Sequence, residues 1–202
     1  MTDHGPYRTP FSLHGVPVSD NFANRLSDTA ELERYLLPRP RSQQQRRIFV
    51  IHGSGGIGKT QLAVDFARRH QASFSSVFWL DGRSEDRLRR SLAGCARRIP
   101  QGQTPDRSRN LVPSSEDDLN VMVADVMEWL ARPDNVDWLL IFDNVDQDHE
   151  HGDTTGAYDL RKYLNVDHGA VLITTRLPQL ARLGDSKQLK TVDGTLARAI
   201  LQ

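Results

Sequence analysis

The chain has 202 residues, of which 38% are hydrophobic and 26% are charged, an ordinary balance for one globular domain. Its 26 basic and 26 acidic residues cancel, which argues against a chain-wide basic surface for nucleic acid. The one cysteine, Cys95, excludes an internal disulfide and suits a reducing compartment. The first residues lack an apolar segment of signal-peptide length, and the longest apolar run, residues 138–142, is too short to span a membrane. We therefore expect a cytoplasmic protein without membrane partners.

The N-terminal part of the chain predicts an extended lead-in over residues 1–20, because glycine and proline recur there without a hydrophobic period. A short helix is expected from Asp28, since Asp28 and Glu31 have the spacing of a capping box. Prolines follow this helix, and residues 39–47 are interpreted as a solvated connector that contains several arginines. The first strand is then predicted over the apolar residues 48–51.

The middle of the chain alternates between strand and helix patterns. Residues 77–80 predict a strand, and residues 84–99 predict a helix with an apolar stripe and an arginine-rich face that we interpret as solvated. Residues 100–114 are rich in proline and polar residues and are expected to form a mobile loop. A further helix is predicted from near Ser115, with Asp118 in its first turn.

The C-terminal part predicts strands over residues 138–142, 170–174 and 188–192, and a last helix over 195–202. The three histidines at positions 149, 151 and 168 lack a recognised ligand spacing, so we interpret them as solvated loop residues. Strands that alternate with helices and are almost continuously apolar predict a parallel sheet buried on both faces. The expected fold class is therefore α/β, with a mainly parallel sheet of about five strands flanked by helices in three layers.

The most informative segment follows the first predicted strand, where the sequence matches GxxxxGK(S/T) in full. Glycines let the backbone turn so that successive N–H groups point at phosphate oxygens, and the next helix adds its positive N-terminal end. Lys59 would bring a full charge to the outer phosphates, and the Thr60 hydroxyl would ligate Mg²⁺. The sequence thus predicts a P-loop that binds ATP or ADP through Gly53, Ser54, Gly55, Gly56, Ile57, Gly58, Lys59, Thr60 and Gln61.

Asp143 ends the apolar run 138–142 and predicts the carboxylate that holds Mg²⁺ together with Thr60. Hydrolysis would also require a group that orients or deprotonates water. Asn144 follows Asp143, and an amide can orient water but cannot act as a base. Asp146 is the nearest carboxylate that could replace it, so Lys59, Asp143 and Asp146 are candidate catalytic residues.

The predicted strand at 170–174 runs into Thr175 and Arg176, and a strand that ends in Thr-Thr-Arg downstream of Asp143 resembles the sensor segment of the NB-ARC domain. This domain is shared by apoptotic protease-activating factors, plant resistance proteins and fungal NOD-like receptors, which are signalling ATPases of the STAND class. Residues 77–82 look most similar to the fungal versions. The resemblance implies a P-loop NTPase fold in which Arg176 reads the terminal phosphate and serves as a fourth catalytic candidate.

A second stretch supports the same resemblance. Residues 22–25, with the helix after them, are similar to the family motif that lies against adenine, although Asn24 and Leu26 replace its glycine and glutamate. The resemblance implies nucleotide contacts by Phe22 and Arg25. The spacing of Asp143 and Asp146 resembles the related NACHT branch, which implies a catalytic or Mg²⁺-water role for Asp146.

The resemblance extends over about residues 16–202, and the motifs of the family's helical and winged-helix subdomains are absent from it. We therefore expect residues 21–202 to form the nucleotide-binding subdomain alone, as an excised core or a truncated member. The implied function is a Mg²⁺-dependent ATP/ADP switch in an innate-immune or other signalling protein, with slow ATP hydrolysis at most. Self-association or signalling proteins would be its partners through the parent receptor.

Three other functions stay open at this point. The first is a nucleotide-binding interaction module without turnover, which the amide at Asn144 favours. The second is a small-molecule kinase, for which residues 102–118 are the one candidate for a lid. The third is a nucleic-acid motor, which the net charge of zero disfavours.

Overall fold

A computed structural model describes residues 5–13, 16, 25–40, 45–110, 112–147 and 157–190. Five parallel strands form one sheet in the order β2-β3-β4-β1-β5. The strands are β1 Arg47–His52, β2 Ser76–Asp81, β3 Trp138–Asp143, β4 Ala170–Thr175 and β5 Asp185–Gln188. The α-helices are α1 Leu26–Leu36, α2 Lys59–His70, α3 Glu85–Cys95, α4 Asp106–Asn110 and α5 Glu116–Leu130. The predicted α/β fold class is therefore confirmed.

Both faces of the sheet are covered by helices, and the alternation of side chains along β1 shows this directly. Val50 packs on one face with Leu88 of α3 and Trp129 of α5. Phe49 packs on the opposite face with Leu62 of α2 and Leu32 of α1. The result is the predicted three-layer arrangement, which explains why the central strands are apolar along their whole length.

β4 lies between β1 and β3, so the strand before the P-loop and the strand that ends in Asp143 are not neighbours. Ala170 of β4 pairs with Arg47 of β1 on one side and with Leu139 of β3 on the other. All of these strands are parallel, so their carboxyl ends meet at the same edge of the sheet. The ends of β1, β3 and β4 carry the candidate site.

Two helix starts show how far local patterns predict structure. Ser115 caps α5 with its side chain, and Asp118 completes the capping box, as the sequence predicts. α1 begins earlier than predicted, at Leu26, and its N-terminal Arg25 makes no side-chain cap. The expected capping box at Asp28 is wrong because Asp28 lies inside the first turn, where it forms ion pairs with Arg25 and Lys187.

Some segments expected to be irregular or solvated are packed. Residues 100–114 contain the short helix α4, in which Ser108 is buried and bonds Asp125. Arg98 of the supposedly solvated arginine face lies over the Phe78 ring and donates to the carbonyl of Pro10. His168 is buried rather than solvated, with Nε2 2.9 Å from the carbonyl oxygen of Leu130. Polar composition alone did not reveal these tertiary contacts.

The two ends of the described chain also differ from the prediction. Residues 5–7 form a 3₁₀ turn, and Thr9 N–H donates to the Ser75 carbonyl at 2.9 Å, so this part of the lead-in contacts the start of β2. The last strand in the described part of the chain is β5, which begins at residue 185, three residues before the predicted start at residue 188. The predicted helix 195–202 lies outside the described residues. None of the described helices is long and apolar enough to cross a membrane.

Candidate functional site

The P-loop joins β1 to α2 and needs glycine at several of its turns. Gly53, Gly56 and Gly58 have φ values of 139°, 76° and 92°, which side chains rarely tolerate. A Cβ on Gly53 would also lie 2.7 Å from Ile57 Cδ1 and 2.8 Å from the carbonyl oxygen of Leu189. Gly58 is the N-cap of α2, and no side chain caps this helix. The positive N-terminal end of α2 therefore faces the loop without a capping side chain.

Lys59 lies inside the curve of the loop. Its Nζ donates to the carbonyl oxygens of Gly53 and Ser54, both at 2.8 Å, and the residue is only 8% exposed. Burial lowers the pKa of the ammonium, Asp146 acts in the opposite direction, and Arg176 lowers the pKa further. Lys59 is therefore a buried cation with carboxylates nearby and carbonyl partners, and it can turn toward a bound anion.

Thr60 and Asp143 meet at the centre of the site. The Thr60 hydroxyl donates to Asp143 Oδ1 at 2.8 Å, and the Thr174 hydroxyl donates to the same oxygen at 2.6 Å. Asp143 is 4% exposed, and burial raises the pKa of its carboxyl while these two hydrogen bonds act against that effect. A hydroxyl and a carboxylate oxygen at this distance are the ligand types that Mg²⁺ takes beside phosphate, so the residues present fit this ion.

Asn144 has a structural reason to be an asparagine. Its φ of 62° is left-handed, a conformation that asparagine tolerates better than most residues. Its side-chain amide donates to Asp143 Oδ2 at 2.9 Å, and its backbone N–H donates to Thr174 Oγ1 at 2.9 Å. The amide thus holds the second oxygen of the Asp143 carboxylate.

Asp146 and Arg176 form an ion pair at the mouth of the cleft. Arg176 N–H donates to Asp146 Oδ1 at 2.7 Å, and Arg176 Nε lies 3.2 Å from Asp146 Oδ2. The Arg176 side chain is 65% exposed, and its guanidinium carbon would lie 3.3 Å from a Cβ built on Gly55. Arg176 therefore faces the P-loop, while Asp146 contacts Arg176 through both of its carboxylate oxygens.

These parts surround a polar cleft of about 200 Å³. The residues that line it are Gly55, Gly56, Gly58, Lys59, Thr60, Gln61, Asn144 and Arg176. The structure thus brings most of the predicted P-loop residues together with Arg176, and it places Asp143 beneath Thr60. Their roles toward a ligand stay predictions.

The structure does not test the adenine contacts expected of Phe22 and Arg25. Phe22 lies outside the described residues. Arg25 is described, and its side chain is 9% exposed because Nη2 donates to the carbonyl oxygens of Ile57 and Lys190, each at 3.0 Å. Arg25 thus ties α1 to the P-loop and to the segment after β5, and an adenine contact by it stays a prediction.

Sequence reasoning missed Thr174 as a partner of Asp143. Thr174 is fully buried, and its hydroxyl both donates to the carboxylate and accepts the Asn144 N–H. The available signal was a polar residue at the end of an otherwise apolar strand, which requires a hydrogen-bond partner once it is buried. In the part of the chain that the structure describes, no group of three or more histidine, cysteine or acidic side chains could hold a metal by itself.

Comparisons with known proteins identify the fold of the chain but no family. No protein family model matches the chain, and no curated protein matches it. Among solved structures it is similar to the crystal structure of Cdc6p from Pyrobaculum aerophilum, with a TM-score of 0.56 and 14% sequence identity. The match covers 94% of this chain and 51% of that one, so the chain spans about half the length of that structure. At this level of identity the similarity shows the fold alone, an α/β fold with a five-stranded parallel sheet flanked by helices.

Proposed function

We propose that this chain binds ATP and ADP with Mg²⁺ and acts as a nucleotide-dependent switch in a signalling protein of the NB-ARC type. The observation that carries the proposal is the 2.8 Å contact between Thr60 and Asp143, which joins the P-loop to the end of β3. Its two oxygens stand beside a buried lysine and glycine turns, and this combination suits a phosphate–metal ligand better than it suits a simple turn.

Each residue of the site would have a role that follows from its position. The P-loop backbone and the first turn of α2 would hold phosphate oxygens, because unpaired N–H groups at a helix start favour anions. Lys59 would exchange its carbonyl partners for the outer phosphates. Thr60 and Asp143 would hold Mg²⁺, which when bound neutralises charge on the phosphate oxygens. Thr174 and Asn144 keep the Asp143 carboxylate oriented for that role.

The switch itself rests on the NB-ARC resemblance together with the position of Arg176. An arginine that faces the P-loop can contact a third phosphate that ADP lacks, so it gives the two nucleotides different interaction energies. Such a difference is the requirement for any nucleotide-driven population shift. ADP would favour a closed parent receptor, and ATP would permit assembly.

The first test is Lys59→Ala, which should reduce binding of both ATP and ADP by about 1.5–3 kcal/mol, or roughly 10- to 150-fold. Isothermal calorimetry measures this change, and circular dichroism checks that the variant is folded. Lys162→Ala removes an exposed lysine outside the cleft and serves as the matched control. Unchanged affinity in a folded Lys59→Ala protein would rule out the P-loop site.

A second candidate function is a binding module without turnover, and a specific observation favours it. The Asn144 amide donates to Asp143, and both carboxylate oxygens of Asp146 contact Arg176, so each group already has a protein partner in this structure. The kinase alternative finds less support, because the stretch proposed as its lid is anchored. Gln103 accepts from the Trp129 indole at 2.7 Å, and Ser108 is buried.

A further inference from the structure

We propose that Asp146 is a positioning residue that holds Arg176 over the P-loop and thereby sets the preference for a nucleoside triphosphate over a diphosphate. The inference rests on the proposed function, because a charge held over the cleft discriminates only among phosphate ligands. It assigns Asp146 a role other than that of a base.

The contact between these two residues is a two-point attachment. One Asp146 oxygen accepts from the backbone of Arg176 at 2.7 Å, and the other pairs with its side-chain Nε at 3.2 Å. The first contact fixes the position of the Arg176 backbone, and the second fixes the direction of its side chain. A two-thirds exposed arginine without such a partner would distribute over many rotamers and lose part of its orientation.

The loop that carries Asp146 is itself held firmly against the end of β4. Val145 N–H donates to the Thr174 carbonyl at 2.9 Å, and the Thr175 hydroxyl donates to the Val145 carbonyl. Asp146 N–H donates to the Asn144 carbonyl at 2.9 Å, which closes a tight turn around Val145, directly after the left-handed Asn144. These bonds turn the chain after β3 back toward Arg176, so Asp146 stands on a rigid support.

The guanidinium end of Arg176 lies close to the P-loop. Its guanidinium carbon, Nη2 and Nε would lie 3.3 Å, 3.4 Å and 3.5 Å from a Cβ on Gly55. Gly55 thus leaves room for the arginine to approach the loop backbone. Because this position is beside the phosphate cleft, a third phosphate would meet a guanidinium already in place, and preorganisation of this kind increases affinity.

The first experiment needs no nucleotide. ¹⁵N relaxation of the Arg176 Nε–H group in the free protein should show a restrained side chain, compared with the exposed Arg34. Asp146→Ala should lower the Arg176 order parameter to that of Arg34, and Asp146→Asn should lower it less, because an amide oxygen can keep the backbone bond. An Arg176 signal as mobile as that of Arg34 in the wild type would overturn the proposal.

The second experiment measures affinities for ADP and for a non-hydrolysable ATP analogue by calorimetry. Asp146→Ala should weaken the triphosphate about fivefold and the diphosphate less than about twofold, within the coupling range of contacting residues. In an Arg176→Ala background, Asp146→Ala should change neither affinity by more than about twofold. Asp167→Ala removes an exposed carboxylate just before β4, at the opposite end of the sheet, and should change nothing.

The outcomes separate this proposal from the proposed function. Wild-type protein that binds neither nucleotide refutes the function and the triphosphate preference, while the relaxation experiment still decides whether Asp146 holds Arg176. An Asp146→Ala loss that persists in the Arg176→Ala background means that Asp146 acts directly on ligand or metal and overturns the proposal. Equal losses for both nucleotides overturn the assigned preference.

Discussion

Asp143 is central to the site, because both of its carboxylate oxygens accept hydrogen bonds from neighbouring side chains. Oδ1 accepts from Thr60 and Thr174, and Oδ2 accepts from Asn144. A carboxylate that is 4% exposed would be costly to bury as an ion without such donors. Its raised pKa records the remaining cost of burial, and a bound cation would offset that cost.

We predict that Asp143→Ala weakens ATP binding mainly in the presence of Mg²⁺. The carboxylate would act through the ion, so affinity measured with Mg²⁺ should fall while affinity measured with a chelator should change little. Calorimetric titrations of wild type and variant under both conditions provide the comparison. Equal losses with and without Mg²⁺ would mean that Asp143 supports the loop structurally, through Thr60 and Thr174, and does not hold a metal.

The helices differ in how much local sequence decides their starts, and α5 is the clearest case. Ser115→Ala should destabilise the protein by about 0.5–2 kcal/mol because it removes the acceptor for the Asp118 N–H. Urea unfolding measures the change, and Ser115→Asn should restore most of the loss, since asparagine is an equally good cap. A Ser115→Ala protein as stable as wild type would mean that the remaining Ser114–Asp118 bonds suffice.

Strands β1 to β4 and the P-loop were predictable because each is encoded locally. β3 is apolar from Trp138 to Phe142 and ends in one acid, and three of the four P-loop glycines stand where the backbone has positive φ. The ion pair between Asp146 and Arg176 was not predictable from spacing, because it joins residues thirty positions apart through tertiary structure. The same holds for Arg25, whose contacts to Ile57 and Lys190 depend on how α1 packs.

The boundaries of β5 and α1 show a second limit. β5 reads Asp-Ser-Lys-Gln and has mostly exposed side chains, so no apolar period identifies it. It exists because its backbone pairs with β1 over residues 49–52. α1 starts at Leu26 although Asp28 and Glu31 suggested a later start, since these two acids pair with Lys187 of β5 instead of capping the helix.

For the chain as one unit, we predict that it binds ATP but hydrolyses it slowly or not at all. Among the described residues that line the cleft, Arg176 is the one arginine, and the nearby Asp146 is engaged with it. Arg176, which lines the cleft, has a side chain that is 65% exposed, so water exclusion from the cleft should be poor. Single-turnover phosphate release at saturating protein should stay far below about 1 s⁻¹.

Two variants sharpen this measurement. Asn144→Asp introduces a carboxylate at a left-handed position that aspartate also tolerates, so any gain in rate reports on the missing base. Asp146→Ala should leave the low rate low. Wild-type turnover near 1 s⁻¹ would refute the prediction, and its loss in Asp146→Ala would identify Asp146 as the base.

The position of β4 between β1 and β3 has a consequence for how the chain is made. β1 lies between β4 and β5, and its Arg47 pairs with Ala170 of β4 while its Phe49 pairs with Asp185 of β5. Both neighbours of β1 are therefore synthesised long after it. A nascent chain therefore carries an apolar strand with two unpaired edges, which is a hazard for aggregation. Long-range parallel pairing is also slow to form. The phosphate loop, although encoded early, acquires its supporting sheet only when the end of the described chain has left the ribosome.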